Sequence, residues 1–261
     1  MTDKKDSLAS SARSVSRRWH ATLFRPASIL TWPVRMARYW SDWIKFSGLL
    51  RRKRERLSLL NSYPCLYDKT STTDVDPQYF YQGYWAMRRV FERRPKKHVD
   101  IGSDNSWVGW LTTFVPVVSI DLRPLPVEVK NLECRSGSVL DLPLEDNSVE
   151  SISCLHVVEH VGLGRYGDPL DTEGTVKACR ELARVTASGG MLYLSLPIGK
   201  PRVCFNAHRV IDPPEVVSLC QGMKLVEFSV IDDKGRLIEN CEMDDYRDAK
   251  YACGLFIFTA I

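Results

Sequence analysis

The 261-residue sequence lacks several features that define common protein classes. Its eight cysteines form no C-x-x-C pair and lie mostly inside apolar runs, which excludes a zinc ribbon or a disulfide scaffold and is typical of buried, reduced thiols. No apolar segment near the N-terminus precedes a small-residue cleavage site, so we expect a cytoplasmic protein without a secretory signal. No stretch of about 18–20 uncharged apolar residues occurs, which argues against a membrane-spanning helix.

Positive charge is concentrated in one arm of the chain. The formal net charge is +4, but residues 13–57 contain twelve Lys and Arg against Asp42 and Glu55. The arm therefore carries +10 and, because the first twelve residues balance, residues 58–261 carry −6. Four of the seven tryptophans also lie in this arm. The sequence thus predicts a basic, aromatic arm attached to a mildly acidic domain.

A helix is expected within the arm, beginning near Val34 because Pro33 interrupts the chain just before it. Its wide apolar face leaves a narrow polar strip that consists of Arg35, Arg38, Asp42 and Lys45. Two interpretations fit this pattern: docking of residues 13–57 on an anionic membrane surface, and packing on the protein's own domain. A nucleic-acid partner is not expected, because no recognised nucleic-acid-binding module accompanies the charge.

From Lys97 onward, short apolar runs alternate with amphipathic stretches, which indicates parallel strands joined by crossover helices. The seven runs are 97–102, 117–121, 132–135, 149–155, 190–197, 224–232 and 252–261. The last two have no helix between them and are expected to pair as an antiparallel hairpin at the sheet edge. The predicted fold class is α/β, with a doubly wound, Rossmann-like, mostly parallel seven-stranded sheet and an N-terminal helical basic arm.

Three segments follow from this pattern: a basic amphipathic arm over 1–60, an aromatic-rich leading segment over 61–96, and the α/β domain over 97–261. Within the domain, a helix is predicted from Thr172 to Val185, with Ser188-Gly189-Gly190 as its C-cap. A shorter helix is expected after Pro213-Pro214.

The first strand-to-helix turn of a doubly wound sheet needs glycine where the backbone approaches a ligand. Here the turn reads Asp100-Ile101-Gly102-Ser103-Asp104-Asn105-Ser106. Together with the order of strands, it resembles the donor-binding motif of class I S-adenosylmethionine-dependent methyltransferases. The resemblance implies that Asp100 serves the methionine amino group and that Gly102 and Ser103 line the donor site. Asp104 and Ser106 replace the later glycines, which favours a protein that has lost donor binding.

Two more carboxylates follow in the order of that superfamily. Asp121 ends the second strand, where a carboxylate can accept both hydroxyls of the cofactor ribose, with Leu122 beside it. The stretch from Ser138 to Ser148 resembles the family's D-L-P-F-x-D-N-S-F-D motif and implies that Asp141, with Leu142, binds the adenine amino group. A turn-capping role is the other interpretation of a single strand-end aspartate, but three in the correct order favour the cofactor.

The fourth strand leads into His156-Val157-Val158-Glu159-His160, which matches the H-x-x-E-H signature of a class of zinc hydrolases. That signature requires a helix, whereas here the motif directly follows a β-like run. Methyltransferases of class I commonly carry V-x-E-H-V at this point, so the zinc hydrolase is the less favoured interpretation.

Histidines near this motif are the candidate general bases for methyl transfer to a hydroxyl group. The predicted catalytic residues are His156, Glu159, His160 and His208. Some hydroxyl-directed methyltransferases hold a divalent metal near the acceptor, so a metal site formed by the same four residues is a second interpretation. In a third, Glu159-His160 only caps the following turn.

A glycine-rich loop, GLGRYGDP at 162–169, follows this motif, and FNAHR at 205–209 follows the fifth strand. With the upstream stretch PCLYDKTSTTDVDPQYFYQGYWA, these loops resemble an uncharacterised bacterial family with a methyltransferase-like core, often linked to surface-polysaccharide biosynthesis. The candidate acceptor-binding residues are Arg165, Tyr166, Asn206 and Arg209.

Two functions from different classes follow from these motifs. The first is S-adenosylmethionine-dependent O-methylation of a sugar or lipid-linked glycan, with the protein peripheral on the inner membrane face. The second is a catalytically inactive methyltransferase-fold scaffold or regulator at the membrane. The acceptor-side histidines favour the first, and the missing donor-loop glycines favour the second.

Overall fold

The computed structural model describes residues 30–50, 55 and 57–261. The chain divides into two compact units, residues 1–74 and residues 75–261. Predictions that concern residues 1–29, or most of the basic run at 51–56, lie outside the described residues.

Helix α1, Trp32–Leu50, is the main element described in the first unit. It begins two residues before the predicted Val34, because Pro33 in the first turn needs no hydrogen-bond partner for its nitrogen. The Trp40 and Trp43 rings pack edge-on at 6.0 Å, while Ile44 and Leu49 are exposed. None of the helices in the described ranges is long and apolar enough to cross a membrane.

The second unit is built on an eight-stranded sheet with the order β3-β2-β1-β4-β5-β10-β8-β9. The strands, including the separate hairpin β6-β7, are β1 His98–Ile101, β2 Val117–Asp121, β3 Leu132–Ser136, β4 Val149–Leu155, β5 Thr186–Ile198, β6 Arg202–Cys204, β7 His208–Val210, β8 Met223–Ile231, β9 Leu237–Ile238 and β10 Ala252–Ala260. The first five strands are parallel to one another, and β10 pairs antiparallel with both β5 and β8.

The α/β class with a large, mostly parallel sheet is thus confirmed, and β8 and β10 form the expected antiparallel pair. The predicted number of seven strands is wrong. The eighth strand, β9, pairs with β8 and takes the edge position. It spans only two residues, too few to produce a periodic pattern in the sequence.

Four helices cover the sheet: α2 Pro77–Arg93, α3 Asn105–Leu111, α4 Gly174–Val185 and α5 Pro213–Leu219. Asp76 caps the N-terminus of α2 by accepting the backbone N–H groups of Gln78 and Tyr79. The same helix docks on β8 through buried Arg89, which binds both carboxylate oxygens of Glu227. This contact holds α2 against β8.

The predicted glycine cap of α4 is wrong. The helix ends at Val185, and Ser188-Gly189-Gly190 lies inside β5, where the register against β4 shifts between Val149 and Ser151. Gly189 has a φ of +72°, a conformation that glycine adopts without strain. This freedom of glycine therefore allows an irregularity in the strand here and does not end a helix.

Candidate functional site

A cavity of about 130 Å³ opens at the carboxyl ends of β1, β2 and β4, the usual ligand position in a doubly wound sheet. Its floor is formed by Ile101, Gly102 and Ile120 at the strand ends. Gly102 has a φ of +62°, and a Cβ there would lie 3.4 Å from both Asp121 Oδ2 and a methyl group of Val157. The glycine therefore allows close packing at the point where β1, β2 and the turn after β4 meet.

Asp121 is the predicted carboxylate that lines this cavity. Its Oδ1 accepts the Arg123 backbone N–H at 2.7 Å, which fixes the side chain, and its Oδ2 lies beside Gly102. Leu122, half exposed, lines the cavity next to it. The arrangement can accept hydroxyl donors from a ligand at the end of β2.

Asp141 and Leu142, which the resemblance assigns to the adenine, are not among the residues that line this cavity. The turn before them lines it through Ser138, Val139 and Leu140. Asp141 is exposed, and Leu142 is buried in the core with its N–H bonded to Glu181. The wall next to β3 is therefore largely apolar, because the turn places Val139 and Leu140 inward.

Asp100, which the resemblance assigns to the methionine amino group, is engaged by groups of the protein itself. It is fully buried, with Oδ1 accepting from Trp107 Nε1 and Ser153 Oγ, and Oδ2 accepting from the Ser103 N–H. Burial raises the pKa of this carboxyl group, and these hydrogen bonds oppose the rise. Ser103 is engaged as well, since its Oγ accepts the N–H of Leu155. Both residues hold β1, α3 and β4 together, and Ser103 also lines a neighbouring depression of about 230 Å³ that includes Gly102 and Asp121.

A buried histidine continues this network. His98 Nε2 lies 2.9 Å from Ser153 Oγ, and His98 Nδ1 lies 2.8 Å from Ser151 Oγ. Because Ser153 donates its proton to Asp100, it accepts from His98 Nε2–H, and Ser151 donates to Nδ1. His98 is thus a neutral imidazole, and burial lowers its pKa to about 3.

The two residues that replace donor-loop glycines lie away from the cavity. Asp104 caps α3 by accepting the Ser106 N–H at 2.9 Å. Asp104 and Ser106 both line a different depression, which lies between α2 and α3. The sequence alone did not reveal this, because it does not fix how the loop turns after Gly102.

A second cavity, of about 460 Å³, adjoins the first at the same sheet edge. It brings together all four predicted catalytic residues, His156, Glu159, His160 and His208, with the predicted acceptor residues Arg165 and Asn206. His156 and His160 line both cavities. The loops after β4 and before β7 therefore converge, as expected for segments at the carboxyl edge of a parallel sheet.

His156 and Glu159 form a buried pair, with Nδ1 of the histidine 2.7 Å from Oε1 of the glutamate. Burial lowers the pKa of His156, but nearby Cys253 and Glu159 outweigh it, and that pKa lies well above its usual value. His156 adopts a left-handed φ of +56°, held by its N–H donating to Ser195. Within the described chain, His156 Nε2 and Glu159 Oε2 are buried without a hydrogen-bond partner. These two atoms are therefore closed off from solvent, although both residues border the second cavity.

His160 is held differently. Its Nδ1 donates to the carbonyl of Ala207 at 2.5 Å, so in the neutral ring Nε2 carries the lone pair. Nε2 lies 3.7 Å from Glu159 Oε1. The ring also packs edge-on against Tyr166 at 5.8 Å. In that tautomer Nε2, which lies 3.5 Å from Arg165 Nη1, can accept a proton at the junction of the two cavities.

The geometry excludes the helical zinc site that H-x-x-E-H would need. The segment Val158–His160 is a single 3-10 turn, and the left-handed backbone at His156 precedes it. Across residues 30–50, 55 and 57–261, no group of three His, Cys, Asp or Glu residues is placed to hold a metal ion. Nothing in the described donor set therefore supports the metal interpretation.

The loop GLGRYGDP is tied together by Asp168. Its Oδ2 accepts the N–H groups of Gly162 and Gly164, and its Oδ1 accepts that of Tyr166. These bonds lower the pKa of Asp168 in spite of its partial burial. Gly162 has a φ of +79°, and a Cβ there would overlap the backbone oxygen of Asp171. The motif thus encodes a rigid loop that carries Tyr166 to the cavity.

Tyr166 bridges the mouth of the first cavity. Its ring lies 4.7 Å from the Arg123 guanidinium, which follows β2, and 5.0 Å from that of Arg165 in its own loop. Arg165 also donates to the Ala207 carbonyl beside His160. The two cations therefore hold the aromatic ring between the β2 side and the β4 side of the site.

Arg209 is not placed to bind an acceptor. Its guanidinium donates to the backbone oxygens of Val161 and Asp171, and it lines neither cavity. It instead anchors the glycine-rich loop to β7. Asn206, by contrast, lines the second cavity while donating to the Leu163 carbonyl, and the His208 ring packs at a tilt against Tyr251 at 4.8 Å.

Several residues that line the cavities were missed from the sequence. They are Arg123, Ser138, Val139, Leu140, Val157, Asp168, Asp76, Gln78 and Tyr251. Arg123 and the Ser138 turn directly follow predicted strands, a signal that could have identified them. Tyr251 comes from a distant segment and had no comparable signal.

Comparison with known proteins supports the fold. A family model described as Caenorhabditis protein of unknown function, DUF268, matches residues 145–250. No curated protein matches the chain. Among solved structures, the N-methyltransferase NodS from Bradyrhizobium japonicum WM9, in complex with S-adenosyl-L-homocysteine, aligns with a TM-score of 0.52 and 13% identity, covering 72% of this chain and 89% of NodS.

Two further structures are similar. A putative sarcosine dimethylglycine methyltransferase from Galdieria sulphuraria aligns with a TM-score of 0.51 and 16% identity, covering 69% of this chain and 85% of that one. The [4+2]-cyclase SpnF aligns with a TM-score of 0.51 and 10% identity, covering 69% and 80%. Because one of these proteins is a cyclase, the shared fold does not determine the reaction. The chain has a class I methyltransferase-like fold.

Proposed function

We propose that the second unit is an S-adenosylmethionine-dependent methyltransferase that acts on a hydroxyl group, with His160 as the general base. The observation that carries this proposal is the position of His160. Its ring lines both cavities, and its Nδ1 donates to Ala207, which leaves the lone pair on Nε2, 3.5 Å from Arg165 Nη1. Donor and acceptor bound in the two cavities would meet at this nitrogen.

The residues present fit the nucleoside part of the cofactor best. Asp121 would accept the two ribose hydroxyls, and Leu122, Val139 and Leu140, which line the same cavity, would hold the adenine. At about 130 Å³ this cavity is smaller than the roughly 300–1,000 Å³ of typical ligand sites. A neighbouring depression of about 230 Å³ shares Gly102, Asp121 and Arg123 with it and extends the donor site. The S-adenosyl-L-homocysteine bound to NodS supports this choice of cofactor.

The chain's own residues account for the proton and for orientation. The bound cofactor supplies an electrophilic methyl group, and in-line attack requires the acceptor oxygen to be aligned with it. His160 Nε2 takes the hydroxyl proton as the oxygen–methyl bond forms. Glu159, 3.7 Å from that nitrogen, stabilises the resulting imidazolium, and the Ala207 carbonyl keeps the ring oriented. The cation His156 is already protonated and serves to hold Glu159.

For the acceptor we propose a sugar or lipid-linked glycan used in surface-polysaccharide biosynthesis, encountered at the inner membrane face. Polar groups and aromatic rings around the second cavity support a sugar: Arg165, Asn206, Tyr79 and Tyr251 all line it. The +10 charge of residues 13–57 supports attraction to an anionic membrane surface.

Isothermal titration with S-adenosyl-L-homocysteine tests the proposal on the full chain. Wild-type protein is expected to bind, and Asp121→Ala is expected to weaken binding at least about tenfold by removing the hydroxyl acceptor. Asp141→Ala is the matched control, because that exposed carboxylate does not line the cavity. Equal losses from the two variants, or no binding by wild type at millimolar ligand, would contradict the proposal.

A scaffold or regulator that has lost donor binding is the second candidate. The engagement of Asp100 by Trp107 and Ser153 favours it, because no carboxylate from β1 remains for the methionine end of a cofactor. This candidate predicts that Asp121→Ala leaves the cellular phenotype unchanged, whereas deletion of residues 13–57 abolishes it.

A further inference from the structure

An apolar groove of about 740 Å³ lies between α2 and α3. Seven aromatic side chains line it: Tyr79, Phe80, Tyr84, Phe91, Trp107, Trp110 and Phe114. Phe80 is 61% exposed and Trp110 is 60% exposed. Aromatic clusters of this kind on a soluble surface mark binding sites more often than accidental exposure.

Helix α2 is apolar on two sides, which explains why the groove stays open. Trp85, Ala86 and Val90 are fully buried against the sheet. Tyr84 and Phe91, on the other side, are about half exposed and line the groove instead. Folding of the second unit therefore buries one apolar face of α2, and the other apolar face remains available to a ligand.

The groove continues from the proposed acceptor cavity. Tyr79 lines both, and its ring lies 5.6 Å from that of His156. The only charged side chains in the groove lining, Asp104 and Arg88, are engaged within the second unit, Asp104 at the α3 N-cap and Arg88 with Glu239. The hydrocarbon chain of a ligand that extends from the histidine cavity past Tyr79 thus enters a groove that favours an uncharged, apolar occupant.

The polar lining of the histidine cavity matches the opposite end of such a molecule. Arg165, Asn206 and His208 line this cavity together with His160, the proposed base. Their side chains can donate or accept hydrogen bonds, so a hydroxyl-bearing head fits this end of the surface.

We infer that the acceptor is an amphiphile, with a hydroxyl-bearing head in the histidine cavity and a hydrocarbon chain in the groove between α2 and α3. The role of the head rests on the proposed function. The binding of the hydrocarbon chain does not depend on the proposed function, because the groove is defined by aromatic residues outside the donor cavity.

Alkyl β-glucosides with six to nine carbons, each below its micelle concentration, provide the test by isothermal titration to the full chain. For wild type the affinity is expected to rise about threefold to fourfold per added methylene, the value for burial of a CH₂ group. Phe80→Ser combined with Trp110→Ser should flatten this dependence. Both positions are exposed, so the double variant is expected to fold. Val226→Ser, exposed on β8 and outside every cavity described, is the matched control.

The outcomes separate this inference from the proposed function. A chain-length dependence that is lost in the double variant and kept in the control supports the groove, even if S-adenosyl-L-homocysteine fails to bind. Three results overturn it: no chain-length dependence in wild type, the same dependence in the double variant, or a concentration-dependent dimer of the ligand-free protein that the double variant abolishes. The last would identify the groove as a contact between two copies.

Discussion

His98 is buried completely between two serine hydroxyls and remains neutral in the folded protein. Its folded pKa of about 3 lies below the ordinary value of 6.5, so the unfolded chain takes up a proton that the folded one rejects. His98 therefore lowers the free energy of unfolding as the pH falls from about 6.5 towards 3, by about 1.4 kcal/mol per pH unit.

We expect His98→Gln to remove this contribution while preserving one donor and one acceptor. Between pH 7.5 and pH 5.0, wild type should lose about 2 kcal/mol more of its free energy of unfolding than the variant does. Urea unfolding at the two pH values measures the difference. Asp100 titrates in both proteins, so parallel pH profiles would show that His98 accepts a proton in the folded state.

His160 and His156 share Glu159 but differ in hydrogen bonding, since His156 Nδ1 binds Glu159 and His160 Nδ1 binds the Ala207 carbonyl. Replacing His160 by alanine is expected to reduce methyl transfer from labelled S-adenosylmethionine to a membrane-lipid extract by about 100-fold or more, since the base is lost. Binding of S-adenosyl-L-homocysteine should stay within twofold of wild type, with Asp141→Ala as the control. Undiminished label transfer by His160→Ala would assign the proton to another group.

At the scale of elements, the loop 162–168 contains two glycines that are expected to differ in how well they tolerate substitution by alanine. Gly162 and Gly167 both have positive φ, but a Cβ at Gly167 would meet no atom of the described chain within 4 Å, while one at Gly162 would overlap Asp171. Both alanine variants should lose about 1–2 kcal/mol from backbone strain. Gly162→Ala should lose about 1–3 kcal/mol more, because the loop must move.

Thermal unfolding compares the two variants directly, and titration with S-adenosyl-L-homocysteine reports on Tyr166, which the loop carries to the donor cavity. Gly162→Ala is expected to weaken that binding, and Gly167→Ala is the matched control. Equal effects of the two substitutions would mean that the loop is not held against Asp171.

The strands were predictable where they are buried on both faces and rich in β-branched residues, as in Val117–Asp121 and Val149–Leu155, which match the predicted runs. The gathering of His156, His160 and His208 followed from parallel topology, which brings the loops after successive strands to one edge. The direction in which each side chain points could not be predicted from the topology. Asp100 faces inward because Trp107 reaches it, a contact that depends on how α3 packs.

At the scale of the whole molecule, the basic arm makes a separate prediction. Protein with residues 13–57 intact is expected to sediment with anionic liposomes at low salt and to be released at high salt, because each Lys or Arg near such a surface contributes about 1 kcal/mol. A chain that lacks residues 13–57 should stay in the supernatant. Equal sedimentation of the two proteins would exclude the arm as the anchor.

The two ends of the sheet bear on how copies of this chain can associate. Strand β9 is two residues long, and β3 at the opposite end carries Glu133 and Arg135, which pair with each other at 2.7 Å. Short or charged border strands are poor templates for adding a strand from another molecule. Intermolecular backbone pairing is therefore disfavoured at both borders, and any fibre or dimer of the second unit would have to form through side chains.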